Sequence, residues 1–489
     1  MIIKRLTSGS CIGFVLLISL IVLCQSAMSK SDFQGKKRVV ILSDFGSDSD
    51  DKQSFCRFLL YANEFDVEGL IATSATYTPF NQTGEPNPDG FISRVKAYGE
   101  VLDNLRKHAD GYPSEEYLLS IIKKGTITGR KFGTELVPNG LPIEEVLGEN
   151  KDTEGSKFIV ELIEKNDPRP LWFCIWGGQM DLAQALWRIR HNQSEKEVQN
   201  AISRLRVCSW GFQDLGGQWI RDNFPGLFHV NSIGGILDSA EPSYLFSVNW
   251  INSNIRNNHG PLGSLYPIRT PGTGEGDTET YLGLISNGLS DMEHPDWGGW
   301  GGLMKRDLED TAMWVDLAVP TSFKKASKKE LKSVTEHSTI FRWAPEFQND
   351  FQARMDRCVK EFEGANHNPK VIINGDSSKN PIVVFAKPGE QLKFDANAST
   401  DPDGDLMFFH WYVYNEISTI KEPKIKYGKL DNPAKEQTEE IYFKTTSDLG
   451  NVIITLPENK KGIIHLILAC SDYGTPALTS YRRVIINVD

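Results

Sequence analysis

From Arg38 to Ala72 two kinds of apolar pattern alternate. Arg38 to Leu42 is an unbroken run, as expected of a strand covered on both faces of its sheet. Phe55, Phe58, Leu59 and Ala62 then recur at helical spacing, and Glu68 to Ala72 reads as the next strand. Leu171 to Ile175 is another buried strand, followed by a helix over Asp181 to Ile189 and a strand over Leu205 to Ser209. That order predicts an α/β domain with a largely parallel central sheet over residues 37–366, closed by a polar-aromatic helix from Phe347 to Phe362.

Beyond Asn366 the period shortens. Lys370 to Asn374, Gln391 to Asp395, Phe408 to Tyr414, Val452 to Leu456, Gly462 to Cys470 and Tyr481 to Val488 read as short strands between turns. With Trp411 inside one of them, they predict an all-β immunoglobulin-like sandwich over residues 367–489. Asp401-Pro402-Asp403-Gly404-Asp405 reads as a turn between two of these strands, with a calcium loop as the alternative.

The opening segment has a different character. Lys4 and Arg5 precede an apolar run from Cys11 to Leu23, too short for the roughly twenty residues that span a bilayer. Residues 1–26 therefore read as a secretory signal peptide. Anchoring as a lipoprotein through Cys24 fits less well, because Leu23 is bulky for the position before such a cysteine. No second long apolar run follows, so the expectation is an exported protein, secreted or periplasmic, with no membrane span. Cys56, Cys174, Cys208, Cys358 and Cys470 have neither zinc spacing nor a disulfide framework and read as buried packing residues. Lys and Arg total 53 against 64 Asp and Glu, and the net charge of −11 argues against nucleic acid or an anionic membrane as partner. Oligomeric state is not legible.

The densest chemistry lies directly after the first strand, where Asp44, Asp48, Asp50 and Asp51 crowd one strand-to-helix turn. In a parallel α/β sheet that carboxyl edge is where ligands bind. Each close carboxylate pair costs up to about 4 kcal/mol at an effective dielectric of about 20. A helix N-terminus offsets part of this, and a bound hard cation offsets more, calcium preferring such oxygen ligands. The plainer alternative is a solvated, capped helix start.

This strand and turn, followed by Glu68 to Thr73 and by Trp176-Gly177-Gly178-Gln179-Met180-Asp181, resemble the nucleoside hydrolase fold and its calcium-binding aspartates. Further signatures at Asn254 to Gly263, Glu275 to Thr278 and Glu293 to Gly302, with Phe341 to Met355, resemble a secreted nucleoside-hydrolase-like family often labelled cellulose-binding, which carries its own C-terminal sandwich. The resemblance implies a divalent metal, calcium by preference, held by Asp44, Asp51, the Trp176 carbonyl and Asp296. Asp44 would also activate water. Asp48, Asp50, Gln179 and Asn254 would contact the sugar, with Asn252 standing where the family has glutamate. The family's late His-Asp pair falls on His294 and Asp296, here separated by Pro295.

His259 and His294 lie in Gly/Pro-rich loops and read either as ordinary loop residues or as the groups that move protons, imidazole being suited to that near neutrality. Glu275 and Asp277 either cap a helix starting near Thr278 or face the substrate. Trp297, two glycines before Trp300, offers a sugar-stacking surface or packs beneath its loop. Gln213 and Asp214 are further cleft candidates. Together these point to an exported carbohydrate-active enzyme acting on polysaccharide-derived oligosaccharides, with metal-assisted glycosidic hydrolysis favoured. Elimination of water or sugar from a uronate residue (a dehydratase or lyase) uses the same groups, and a non-catalytic cellulose-binding protein is the third reading. A nucleosidase fits least.

Overall fold

The computed structural model describes residues 35–45, 49–75, 85–126, 142–232, 243–268, 274–320, 322–327, 329–330, 337–421, 423–427 and 450–489. The expected signal peptide and Asp48 lie outside the described residues. Eight strands form one sheet: β1 (Lys37–Ser43), β2 (Phe65–Ala72), β3 (Ile122–Lys124), β4 (Leu171–Ile175), β5 (Leu205–Trp210), β6 (Phe228–Ser232), β7 (Met304–Arg306) and β8 (Met313–Asp316). Their order is β3-β2-β1-β4-β5-β6-β8-β7, parallel except for the antiparallel β7–β8 pair.

Strand periodicity explains why β1 is apolar throughout. Val39 and Ile41 face a core with Phe55, Phe58 and Leu59 of α1 (Asp50–Leu60) and Phe91 and Val95 of α2 (Asp89–His108). Val40 and Leu42 face the opposite core, with Ile159 and Leu162 of α3 (Glu154–Glu164) and Leu182 and Leu186 of α4 (Met180–Asn192). The expected helix at Asp181 to Ile189 lies within α4. At the sheet's amino edge the buried Arg38 donates twice to Glu68, at 2.9 and 2.8 Å.

The C-terminal region is a two-sheet sandwich. Strands β9 (Ile382–Ala386), β10 (Gln391–Asp395), β11 (Met407–Val413), β12 (Lys424–Tyr427), β13 (Asn451–Thr455), β14 (Gly462–Asp472) and β15 (Thr479–Val488) pair as β10-β13-β12 and β11-β14-β15-β9, around a core centred on the fully buried Trp411. Two expectations need correcting. Lys370 to Asn374 makes only isolated bridges, to Thr400 and Asp376, and the strand that pairs with β15 is β9. The helix expected to reach Phe362 is α6 (Ala344–Asp356), breaking into turns beyond Asp356.

Residues 37–489 form a single compact unit. Tyr414, Ile467 and Tyr481 of the sandwich belong to the same buried cluster as Trp300, Trp343 and Phe347. Trp343 meets Tyr414 edge-on at 6.3 Å and Tyr481 at 5.9 Å. Buried Arg483 donates to the carbonyls of Leu289 and Gly298, both at 2.9 Å. A chain ending at residue 366 would return these aromatics to water, at about 1.5–3 kcal/mol for each fully re-exposed side chain. We expect it to melt well below the full chain and to bind a hydrophobic dye. Equal melting temperatures without dye binding would show that the sandwich is dispensable for the first domain.

Candidate metal centre

β1 ends at Ser43, Asp44 follows, and α1 opens with Asp50 and Asp51, so the sheet's carboxyl edge and the helix start set three acids along one strand-to-helix connection. A fourth arrives from far along the chain. Carboxylate oxygens of Asp50, Asp51 and Asp277 lie within 4.8 Å of one another, and Asp51 and Asp277 are nearly sealed from solvent, at 1% and 2% exposure. The Ser43 hydroxyl donates to Asp51. Asp44 lies against Gly177, where any Cβ would come within 2.8 Å of its carboxylate. The Trp176 carbonyl accepts from the Gln213 amide at 2.5 Å, and the Trp176 indole donates to Thr280 at 2.9 Å. This all-oxygen, acid-rich donor set suits a hard divalent cation such as calcium.

Asp277 is held by the loop before it. Glu275, fully buried, accepts from Arg57 at 2.6 and 3.2 Å, from Thr278 at 2.9 Å and from the Tyr266 hydroxyl. Burial opposes the Arg57 charge, but the Glu275 carboxylate overrides it and holds the guanidinium protonated. Arg57 also donates to Gln348 at 2.8 Å and lies over the Phe351 ring. Gln53 accepts from the Gly274 amide at 2.9 Å, and the Tyr281 hydroxyl donates to the Ser54 carbonyl at 3.0 Å. One face of α1 thus fixes the segment 274–281, and Glu275 is consumed in doing so.

Other expected site residues are dispersed. Glu293 pairs with Arg206 at 2.9 Å, and Lys37 donates to the Leu284 carbonyl at 2.9 Å. Arg206 and Lys37 begin β5 and β1, so the loop carrying His294, Asp296 and Trp297 lies at the amino edge of the sheet, opposite the aspartates. There His294 stacks on Trp297 at 3.9 Å, and Trp297 meets His465 of the sandwich at 5.5 Å. Asp277, and not the expected Asp296, is therefore the late aspartate that joins Asp50 and Asp51. His259 is buried against Asp356 at 2.9 Å, at the end of α6, rather than beside the aspartates. The Asn254 amide turns back to the Trp250 carbonyl at 3.0 Å, and the buried Gln179 amide donates to the Gly211 carbonyl at 3.1 Å.

Three groups near the centre escaped notice or weight in the sequence. The Trp210 indole nitrogen and Asp50 Oδ2 flank Gly276, 3.2 and 3.5 Å from where its Cβ would stand. That indole N–H is buried and has no partner among the described residues, and neither has the hydroxyl of Ser232, paired with Trp210 across β5 and β6. Asp214, at the start of α5 (Leu215–Asn223), accepts the backbone N–H of Met180 at 2.9 Å and of Gly216 at 2.8 Å. Its carboxyl also abuts Gly178, next to the Gly177 that Asp44 touches. Burial pushes Asp214 up to about 6, against the backbone N–H groups that favour its ionised form. Its place after β5 and its helix-capping residue type were the available signals.

Residues 38–303 match the family described as cellulose-binding Sde182, nucleoside hydrolase-like domain, and residues 391–488 match the C-terminal domain of cellulose-binding protein Sde0182. The chain is similar to a nucleoside hydrolase-related protein of Saccharophagus degradans associated with carbohydrate metabolism. That similarity has 30% identity and a TM-score of 0.73, covering 93% of this chain and all (100%) of the other. The effector protein XOO4466 is far more distant, with 8% identity and a TM-score of 0.36 over 70% of this chain and 99% of its own. No functionally curated protein matches the chain.

Two sets of variants probe this geometry. Asp277→Asn should reduce the thermal stabilisation given by calcium, about 2.7 kcal/mol for a site at a hundredfold excess over Kd, while Asp296→Asn should retain it. Calorimetric scans with calcium and with chelator read this directly, and the reverse pattern would refute the assignment. Arg57→Met leaves Glu275 buried and unpaired, so we expect a loss of about 3–5 kcal/mol in denaturant unfolding.

Proposed function

The chain belongs to the cellulose-binding, nucleoside hydrolase-like family, and from that membership we propose that it is an exported protein that binds polysaccharide-derived oligosaccharides at the Asp50–Asp51–Asp277 cluster and hydrolyses a glycosidic bond there. The observation that carries this reading is the convergence of those carboxylates at the sheet's carboxyl edge, beside the unpartnered Trp210 N–H and Ser232 hydroxyl. A cyclic polyol suits this set of groups, since its hydroxyls both donate to carboxylates and accept from N–H groups. No helix among the described residues is long and apolar enough to cross a membrane.

The roles follow from position. A divalent cation held by Asp50, Asp51 and Asp277, with Asp44 and the Trp176 carbonyl beside them, would supply a positive centre that chelates vicinal hydroxyls. Asp50, the more exposed of the three, accepts a sugar hydroxyl. Trp210 donates its indole N–H to a sugar oxygen. Asp44 takes the proton of the attacking water. The proton donor is a carboxyl rather than an imidazole, because the cluster contains no histidine among the described residues. Asp214 is the candidate, since burial keeps it protonated up to about pH 6.

Full-length protein incubated with neutral and uronate-containing oligosaccharides and read by mass spectrometry should add one water to a substrate. Loss of a water instead would move the reading to elimination, and saturable binding without conversion would make the protein a binding protein. Asp44→Asn should lower turnover on the order of 10² to 10⁴-fold.

The acid role predicts that turnover falls as pH rises through about 6. The same raised value means that folded Asp214 holds its proton more tightly than the unfolded chain does. Its contribution to stability is complete below the ordinary carboxylate range and is lost as pH rises through about 6. If Asp214 only caps α5, Asp214→Asn will alter the stability profile and leave the pH–rate profile unmoved.

A further inference from the structure

A cavity of about 530 Å³ lies where the first domain meets the sandwich. Asn63 and Glu64, just ahead of β2, form part of its wall, as do Ser286 and Asn287, just past the Leu284 carbonyl that Lys37 holds. The cavity is therefore at the amino edge of the sheet, opposite Asp50, Asp51 and Asp277. The sandwich contributes Ser378, Lys379 and, from β15, Ser480 and Tyr481. Small-molecule sites typically enclose about 300–1,000 Å³ and favour such domain interfaces.

The charges on this wall do not balance. Its acids, Asp350 and Glu64, are both spent on Arg354, at 3.0 and 2.9 Å, and Asp350 accepts further from Tyr61 at 2.6 Å and Asn368 at 3.0 Å. Arg357, just past the end of α6, also lines the cavity and is only 5% exposed. Among the described residues it pairs with no carboxylate. Its Nε and Nη2 both donate to the Asn366 carbonyl, at 3.1 and 2.6 Å, which leaves the Nη1 end of the fork uncommitted. Burial and the neighbouring Arg354 charge both work against its protonation. A buried guanidinium in that position is stabilised most by an anion. Lys370 and Lys379, on the same wall, likewise form no ion pair among the described residues. This excess of cations stands out in a chain of net charge −11.

We propose that this cavity is a second saccharide site, which takes the uronate unit of an acidic oligosaccharide with its carboxylate on Arg357. The free end of the guanidinium fork matches a carboxylate in charge and shape. The ring hydroxyls meet a wall of amides and hydroxyls from Asn287, Asn368, Ser378 and Ser480, and the Asn287 amide nitrogen has no partner among the described residues. A bare inorganic ion would leave most of the volume unfilled. That the ligand is a sugar rests on the carbohydrate reading above; that it is an acid rests on Arg357. Hydrolysis is not needed for either. The site would hold a chain to both regions of the protein, at the edge of the sheet away from Asp44.

Isothermal titration of the full chain with galacturonate, galactose and acetate tests this. Galacturonate differs from galactose by its carboxylate and has no glycosidic bond to cleave, so a failure of the hydrolytic reading, seen as no water added to oligosaccharides, is a separate result. The wild type should bind galacturonate on the order of tenfold or more tighter than galactose or acetate. Arg357→Gln should remove most of that preference, and Asp51→Asn should keep it. Lys379→Glu, on an exposed segment, should weaken galacturonate severalfold, and less so in high salt. Galacturonate bound no tighter than galactose, or equally by wild type and by folded Arg357→Gln and Lys379→Glu, would overturn the proposal. So would a preference lost in Asp51→Asn and kept in Arg357→Gln, which places the acid at the aspartates, or acetate bound as tightly as galacturonate, which removes the sugar. Should Arg357→Gln not fold, Lys379→Glu decides it alone.

Discussion

The buried pair between Arg57 and Glu275 is the constraint on which the candidate site depends. Both side chains are fully excluded from water, where an unpaired charge would be costly and a paired one is tolerated only with its remaining hydrogen bonds filled. Glu275 fills them with Tyr266 and Thr278, and Arg57 with Gln348 and the Phe347 carbonyl. Apolar residues of the same volume could serve stability equally well. They could not fix the segment 274–278 in one register against α1, and that register carries Asp277 to Asp50 and Asp51.

The two edges of the parallel sheet are put to different uses. At the carboxyl edge, strand ends and helix starts leave carboxylates, an indole N–H and a hydroxyl facing one place. At the amino edge, the loop from Glu293 to Gly302 receives the sandwich. Trp297 meets His465, Gly298 gives its carbonyl to Arg483 and leaves no room for a side chain beside Tyr414, and Trp300 packs on Phe347 and Tyr481. Burial and the Arg483 charge push the His465 imidazole down to about 3, so it sits in that interface as a neutral packing group. The segment 274–286 links the edges: Asp277 stands at one end, and the carbonyl of Leu284 reaches Lys37 at the other.

The sandwich is therefore part of the first domain's architecture rather than an appended module. Its Tyr414 and Tyr481 complete an aromatic cluster begun by Trp300, Trp343 and Phe347, and α6, which carries Phe347 and Gln348, touches both that cluster and the Arg57 network. The Asn366–His367 junction adds a polar tie between Asp403, Asp472 and α2.

By itself the sequence determined what is local or periodic. The unbroken run of β1, the alternating strands around Trp411, the acid-rich turn and the motifs of the family are all readable because a strand, a helix start or a turn is encoded in consecutive residues. The edge strands β9 and β12 escaped because β9 is apolar on its exposed face as well, which hides the alternation, and β12 is only 4 residues long. Only the tertiary structure decided which late aspartate joins Asp50 and Asp51. Asp277 and Asp296 both stand in glycine-flanked loops with acidic and aromatic neighbours, and nothing in either loop states which edge of the sheet it faces. That choice rests on Arg57, more than two hundred residues before its partner Glu275 (|i−j| = 218), and on Arg206 and Lys37 holding the following loop at the opposite edge. The same holds for His259 and His294, whose composition suited proton transfer but whose partners, Asp356 and the sandwich, are contacts that only the folded chain creates.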